Sequence, residues 1–160
     1  MDPWVELTAR ILSYSVVFAA MAAWELRHPR RTLSIGRRSR WPSNLGILVV
    51  DALVVRLVMP MAAVGAAVLA AERGWGLLPL TGLPLWVQGL IGFVLLDFVI
   101  YWQHVVFHAV PWLWRLHRMH HADLDIDVTT GLRFHPFEIL LSLVIKMAIV
   151  VLFGIPAVAV

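Results

Sequence analysis

Four apolar stretches, at residues 7–26, 45–71, 85–108 and 139–160, are each long enough to cross a bilayer. A spanning helix needs about 20 predominantly apolar residues, and hydrocarbon offers no water to unpaired backbone groups, so such stretches fold as helices. The chain is 61% hydrophobic and 14% charged, whereas a soluble domain is about a quarter charged. The expected fold is an all-α integral membrane protein. It forms one membrane domain over residues 1–160, with about four transmembrane helices. The N-terminal stretch carries Asp2 and Glu6 and no basic leader, which argues against a cleaved signal peptide.

Charge sets the expected topology. Twelve of the thirteen basic residues are arginine, and Arg27, Arg30, Arg31, Arg37, Arg38 and Arg40 crowd between spans one and two. Positive loops stay in the cytoplasm, so this connection reads as a topology signal in preference to a lipid-headgroup or partner site. The formal charge of +3 is small and does not argue for nucleic acid. Residues 71–84 are rich in Gly and Pro, carry little positive charge, and read as the opposite side. Alternation then brings the segment between spans three and four to the arginine face. In span two, Asn44 is a candidate N-cap and Pro60 a kink. Asp51 and Arg56 are costly in hydrocarbon, and they either pair or leave Asp51 near the interface.

Five of the seven histidines fall within eighteen residues, as His104-x3-His108 and His117-x2-His120-His121. Helical positions three and four apart share a face, so each group can present its imidazoles together. Neutral histidine is the commonest metal ligand, and the chain has no cysteine to offer thiolate. Five nitrogens exceed the needs of one tetrahedral ion and favour two metals. Asp97, Tyr101, His104 and His108 form one stripe of span three. Asp97 reads either as a carboxylate orienting a ligand histidine or as a polar contact between helices. His135 stands before Pro136, a favoured first helical residue, and reads as a supporting or structural residue. Glu138 can pair with Arg133 or with a ligand histidine. Asp123, Asp125 and Asp127 read as a solvated loop, Trp112 and Trp114 as an interfacial belt, and His28 as a loop histidine.

The order His-x3-His, His-x2-His-His and then Leu-Arg-Phe-His-Pro-Phe-Glu at Leu132–Glu138 resembles the fatty acid hydroxylase/sterol desaturase superfamily, especially its bacterial members. Trp41-x2-Asn44-Leu45 and the arginine segment are similar too, so the resemblance covers at least residues 37–160. It implies a cytoplasm-facing site of two non-haem irons at the bacterial inner membrane. O2 and an external electron donor would serve to hydroxylate or desaturate a membrane lipid such as a sterol, fatty acid or carotenoid. It makes His104, His108, His117, His120 and His121 the candidate iron ligands, with Asp97, Tyr101, His135 and Glu138 in support. The family carries a further His-x2-His-His box downstream, which these residues do not include. The expectation is therefore about half of a site, in a fragment or a degenerate relative.

Two other classes compete. A non-catalytic or degenerate membrane metal-binding protein would use one ion, although transport sites sit near the midplane on several spans. A membrane b-type cytochrome would distribute its histidines within spans, and these gather at one end.

Overall fold

The computed structural model describes residues 3–160; Met1 and Asp2, with the part of the leader argument resting on them, lie outside the described residues. The described chain is helical, with no strand: α1 Pro3–Arg27, α2 Arg37–Val58, α3 Ala62–Arg73, α4 Leu85–Ala109, α5 Pro111–His117 and α6 Pro136–Phe153. Three stretches among the described residues are long and apolar enough to cross a membrane: Arg37–Arg73, Leu85–Ala109 and Pro136–Phe153.

Helix α2 begins two turns earlier than its apolar run. Gly36 is its N-cap, so Asn44 is not a cap but a fully buried residue inside the helix. Pro60, which cannot donate an amide hydrogen, separates α2 from α3 more sharply than a kink. Met59 closes α2 through a bond to the Val55 carbonyl, and Ala62 takes a positive φ of 45°. Asp51 and Arg56 do not pair, because five residues turn the helix through more than a third of a circle past one turn. The Asp51 carboxylate is buried with no hydrogen-bond partner.

Small residues bring the spans together. Ala63, Ala67 and Ala70 are buried on α3, which packs chiefly on α6, as close helix approach in membranes requires. Gly92 of α4 faces Ile155, and a Cβ there would come within 2.5 Å of its side chain. The fourth apolar stretch is shorter than its hydropathy: α6 stops at Phe153, Gly154 takes φ 64°, and a short 3-10 turn covers Ala157–Ala159. This end is pinned where Leu77 and Leu78 donate to the Leu152 and Phe153 carbonyls at 3.2 and 2.9 Å. Leu78, Leu96, Val150 and Ile155 form the buried centre there.

The opposite end is held by charge. Arg40 is buried, and its Nη1 donates to both oxygens of Asp123 at 2.9 Å and to the Asp125 carbonyl. Its Nη2 donates to Asp127 at 2.6 Å. The Ser34 and Ile35 amides donate to the Asp125 carboxylate at 3.0 and 2.7 Å, and the Trp41 indole donates to Asp127 at 3.0 Å. The acidic segment is therefore not a solvated loop. In a two-residue alternation the three carboxylates share one side, and that side turns inward onto the arginine. Leu124 and Ile126 face out, 64% and 78% exposed.

Two expected outcomes follow from these contacts. Gly76 has φ 111°, and a Cβ on it would lie 2.1 Å from the Gly154 nitrogen, whereas Gly46 meets nothing within 4 Å. Thermal unfolding in detergent should show Gly76→Ala destabilised by about 1–3 kcal/mol and Gly46→Ala unchanged or slightly stabilised; equal effects would contradict the packing. For Asp123 and Asp127, burial works to raise the carboxyls. It is outweighed by Asn44, Arg40 and Thr130 at Asp123, and by Thr129, Trp41 and Arg40 at Asp127, so both lie below the ordinary 3.8. The Ile35 and Ser34 amides lower Asp125 too. Depressed folded values mean that the clamp's stabilisation is full above about pH 4 and is lost as pH falls through them. An acid titration of the melting temperature should show that loss below about pH 4, and a shallower fall in Asp123→Asn.

Candidate metal centre

The two histidine boxes arrive on different elements. His104 and His108 stand one turn apart on the last turns of α4, with Nε2 atoms 3.1 Å apart. Pro111 then starts α5, whose last residue is His117. The segment 112–121 is not one continuous helix. It passes from α5 through a tight turn into a 3-10 turn at His120–Ala122. The turn brings His121 back over His117, with Nε2 atoms 3.3 Å apart. One ligand nitrogen from each of His104, His108, His117 and His121 lies within 4.8 Å of the other three.

His120 lies outside that group of four. Its ring stacks on Phe134, with centroids 4.6 Å apart and planes 3° from parallel, and its Nδ1 is buried without a partner. Phe107 packs edge-on against His117 at 5.8 Å, and Trp114 lies 5.2 Å from His108 and 5.5 Å from His121. Trp114 thus lies against the cluster, whose His104, His108 and His121 stay exposed, and Trp112 is 62% exposed.

Glu138 is the supporting residue in direct contact with the cluster. Pro136 opens α6, and the His135 side chain accepts the Phe137 amide as N-cap. Glu138 in that first turn reaches His117, with Oε1 2.7 Å from Nδ1. Burial, reinforced by the His104 and His108 imidazoles, pushes the His117 pKa down to about 4. His117 is therefore neutral at pH 7. Burial raises the Glu138 carboxyl above its ordinary value; when it is ionised, the His117 Nδ1–H donates to it and the Nε2 lone pair is left facing the other histidines. Burial first, then neighbouring imidazoles, also lower His120 and His121. Metal ligation needs neutral imidazole, and a carboxylate on the remote nitrogen is the usual means of fixing a ligand tautomer. The donor set fits a first-row metal: nitrogens this close can surround one ion at about 2.1 Å after small adjustments.

The remaining sequence candidates sit apart. Asp97 and Tyr101 are exposed on α4, and Asp97, two turns below His104, has no hydrogen bond or ion pair among the described residues. His135 serves the α6 start. Arg133 turns from Glu138 to the box itself, donating Nε to the Met119 carbonyl at 3.1 Å and Nη1 to Asn44 at 3.0 Å. Asn44 in turn donates to Asp123 and Thr129 at 3.0 and 2.9 Å. Sequence reading passed over Asn44, Thr129 and Arg40 as positioning residues. The available signal was the alternating acidic triplet opposite a dense arginine segment on the same face.

Beneath the cluster, a cavity of about 430 Å³ runs between α2, α4 and α6. His104, Glu138 and Phe134 border one part of it, Val55, Leu96 and Ile100 belong to its mostly apolar remainder, and Lys146 also lines it. Gln103 and Ser142 hydrogen-bond across its wall at 2.5 Å.

Residues 89–160 match the fatty acid hydroxylase family. The match covers both histidine boxes and the Leu132–Glu138 motif, and agrees with the superfamily resemblance carried by those residues. It starts after Trp41 and Asn44, which it leaves outside. No curated protein and no solved structure matches the chain.

Replacing Glu138 with Gln should weaken metal affinity about 10–100-fold, the usual cost of losing a carboxylate behind a ligand histidine. Asp97→Asn should leave affinity unchanged. Titration of the metal-stripped protein checks both, and an unaltered affinity in Glu138→Gln would remove Glu138 from the centre.

Proposed function

We propose that this protein is an iron-dependent, O2-using oxidoreductase of membrane lipids. The observation that carries the reading is the apolar cavity that begins at His104 and Glu138 and continues between membrane-spanning helices. An alkyl chain fits that lining, and its C–H bonds would lie next to the histidine nitrogens. Sterol, fatty acid, carotenoid and related lipids share this chemistry.

Bound iron would supply oxygen activation, with His104, His108, His117 and His121 as its ligands. His120 and further ligands would serve a second iron, since the four clustered nitrogens are a set for one ion. In hydroxylation, one oxygen atom enters the C–H bond and the other leaves as water. In desaturation, two hydrogens leave and both oxygen atoms become water. Each reaction takes two electrons and two protons from outside, so the protein would work with an external electron donor. The residues described supply position and polarity. Glu138 holds His117 at Nδ1, Phe107 and Trp114 enclose the His117 ring, and the cavity lining keeps water from the reacting carbon. The arginine segment and the histidine boxes meet on one face, and the positive-inside rule puts that face in the cytoplasm, with α1 as a fourth span.

The competing reading is a non-catalytic metal-binding membrane protein, which one four-nitrogen set would suit. Metal analysis of the purified protein, followed by mass spectrometry of membrane lipids after addition of a reductant, separates them. Non-haem iron, at about two per complete chain, and lipid products heavier by one oxygen, or lighter by two hydrogens, are expected. One zinc or copper with unchanged lipids would establish the competing reading, and a Soret band would indicate haem.

A further inference from the structure

The connection between α1 and α2 builds a second pocket, of about 470 Å³, away from the histidines. Its basic border is Arg30, Arg31 and Arg37, and its apolar border includes Trp24 and Ile126. Glu25 and Asp127 also reach it, but both are engaged. Glu25 accepts the Val128 amide at 3.0 Å, and Asp127 is held by Arg40 at 2.6 Å. The arginines are only partly engaged. Arg31 donates to the Leu124 carbonyl at 2.8 Å and lies 3.6 Å from Asp125, yet its side chain is 61% exposed. Arg37 donates one N–H to the Glu25 carbonyl at 3.0 Å, and its Nε is buried without a partner. Arg30 is exposed and has no hydrogen bond or ion pair among the described residues.

The apolar side chains around this pocket indicate what faces it. The inward turn of the three aspartates forces Leu124 and Ile126 outward, and Trp24 beside them is 67% exposed. Below Trp24, α1 continues the same surface with exposed Val16, Val17 and Met21. Guanidinium groups above a tryptophan and a continuous apolar flank form the pattern of a surface lying at the headgroup level of a bilayer. A water-soluble anion or an acidic protein would match the arginines but leave the apolar flank in water.

We infer that this pocket binds the phosphate of an anionic phospholipid, with Arg30, Arg31 and Arg37 on the headgroup and Trp24 and Ile126 against the upper acyl chain. The inference does not depend on the chemistry at the histidines.

Native mass spectrometry of the whole protein, released from nanodiscs of phosphatidylcholine and phosphatidylglycerol, tests it. The protein should retain phosphatidylglycerol in preference to phosphatidylcholine. Arg30→Gln with Arg37→Gln should reduce that preference about fivefold for each arginine removed, while Arg73→Gln, at the far end of α3, should preserve it. Should the double variant melt earlier in phosphatidylcholine discs, Arg30→Gln alone carries the test, because its side chain has no bond to lose. Equal retention of the two lipids, or a preference that survives these substitutions, overturns the inference. Protection of the melting temperature by millimolar inorganic phosphate, lost in Arg30→Gln and seen without any lipid preference, would assign the pocket to a free anion and overturn the lipid.

Discussion

The ion cluster centred on Arg40 is the contact on which the histidine end of the protein depends. A guanidinium and three carboxylates removed from water are tolerated only when their hydrogen bonds are filled, and losing one partner of a buried pair costs about 3–5 kcal/mol. Here the filling is nearly complete: Arg40 engages Asp123, Asp127 and two backbone carbonyls, and amides of residues 34 and 35 take Asp125. The planar fork of arginine reaches several oxygens at once, which a lysine point charge would not. From this cluster the restraint passes through Asn44 to Arg133, and from Arg133 to the carbonyl of Met119. Met119 lies between His117 and His120. The orientation of the second box is thus set from α2, more than seventy residues earlier in the chain.

A second restraint reaches the same histidines from the membrane side. Pro136 and His135 define where α6 starts, and that start fixes Glu138 one turn in, facing His117. Moving the helix start by one residue would swing the carboxylate about 100° around the axis and away from Nδ1. The packing of α6 against α3 and α4 therefore decides whether the Glu138 carboxyl meets His117 Nδ1. Fold and ligand chemistry are coupled through a single side chain, at the point where the apolar cavity also begins.

How much of this could be read beforehand differs by element. The helical class, the limits of α4 and both boxes are local properties of composition and spacing, and they were legible. The family match over residues 89–160 agrees with that reading. The extra two turns of α2 were not, because Arg37 to Asn44 are polar and hydropathy sees only the apolar part. The acidic triplet misled for a related reason. Polarity usually means solvent, but besides the local Thr129 and Thr130 the three aspartates find Arg40, Asn44 and the amides of residues 34 and 35 at 79–91 residues' separation, and no local window contains those. The grouping of His121 over His117, with His120 turned onto Phe134, depends on a break from α-helix to 3-10 turn that the i, i+3, i+4 spacing does not disclose.

Burial around the histidines is uneven, and the unevenness has a chemical consequence. His117 is enclosed by Glu138, Phe107 and Trp114, whereas His104 and His108 are exposed on the side of α4 that also carries Asp97 and Tyr101. The enclosed side has low dielectric and keeps imidazoles neutral, which is what ligation requires. The exposed side leaves space next to the same nitrogens. His121 is exposed as well, so within the cluster it is His117 alone that is enclosed. The cavity of residues 55, 96 and 100 reaches His104 from within the membrane layer. The two flanks of α4 thus differ: one, with Leu96, Ile100 and Gln103, lines the cavity, and the other carries the exposed Asp97 and Tyr101, with His104 at the boundary between them.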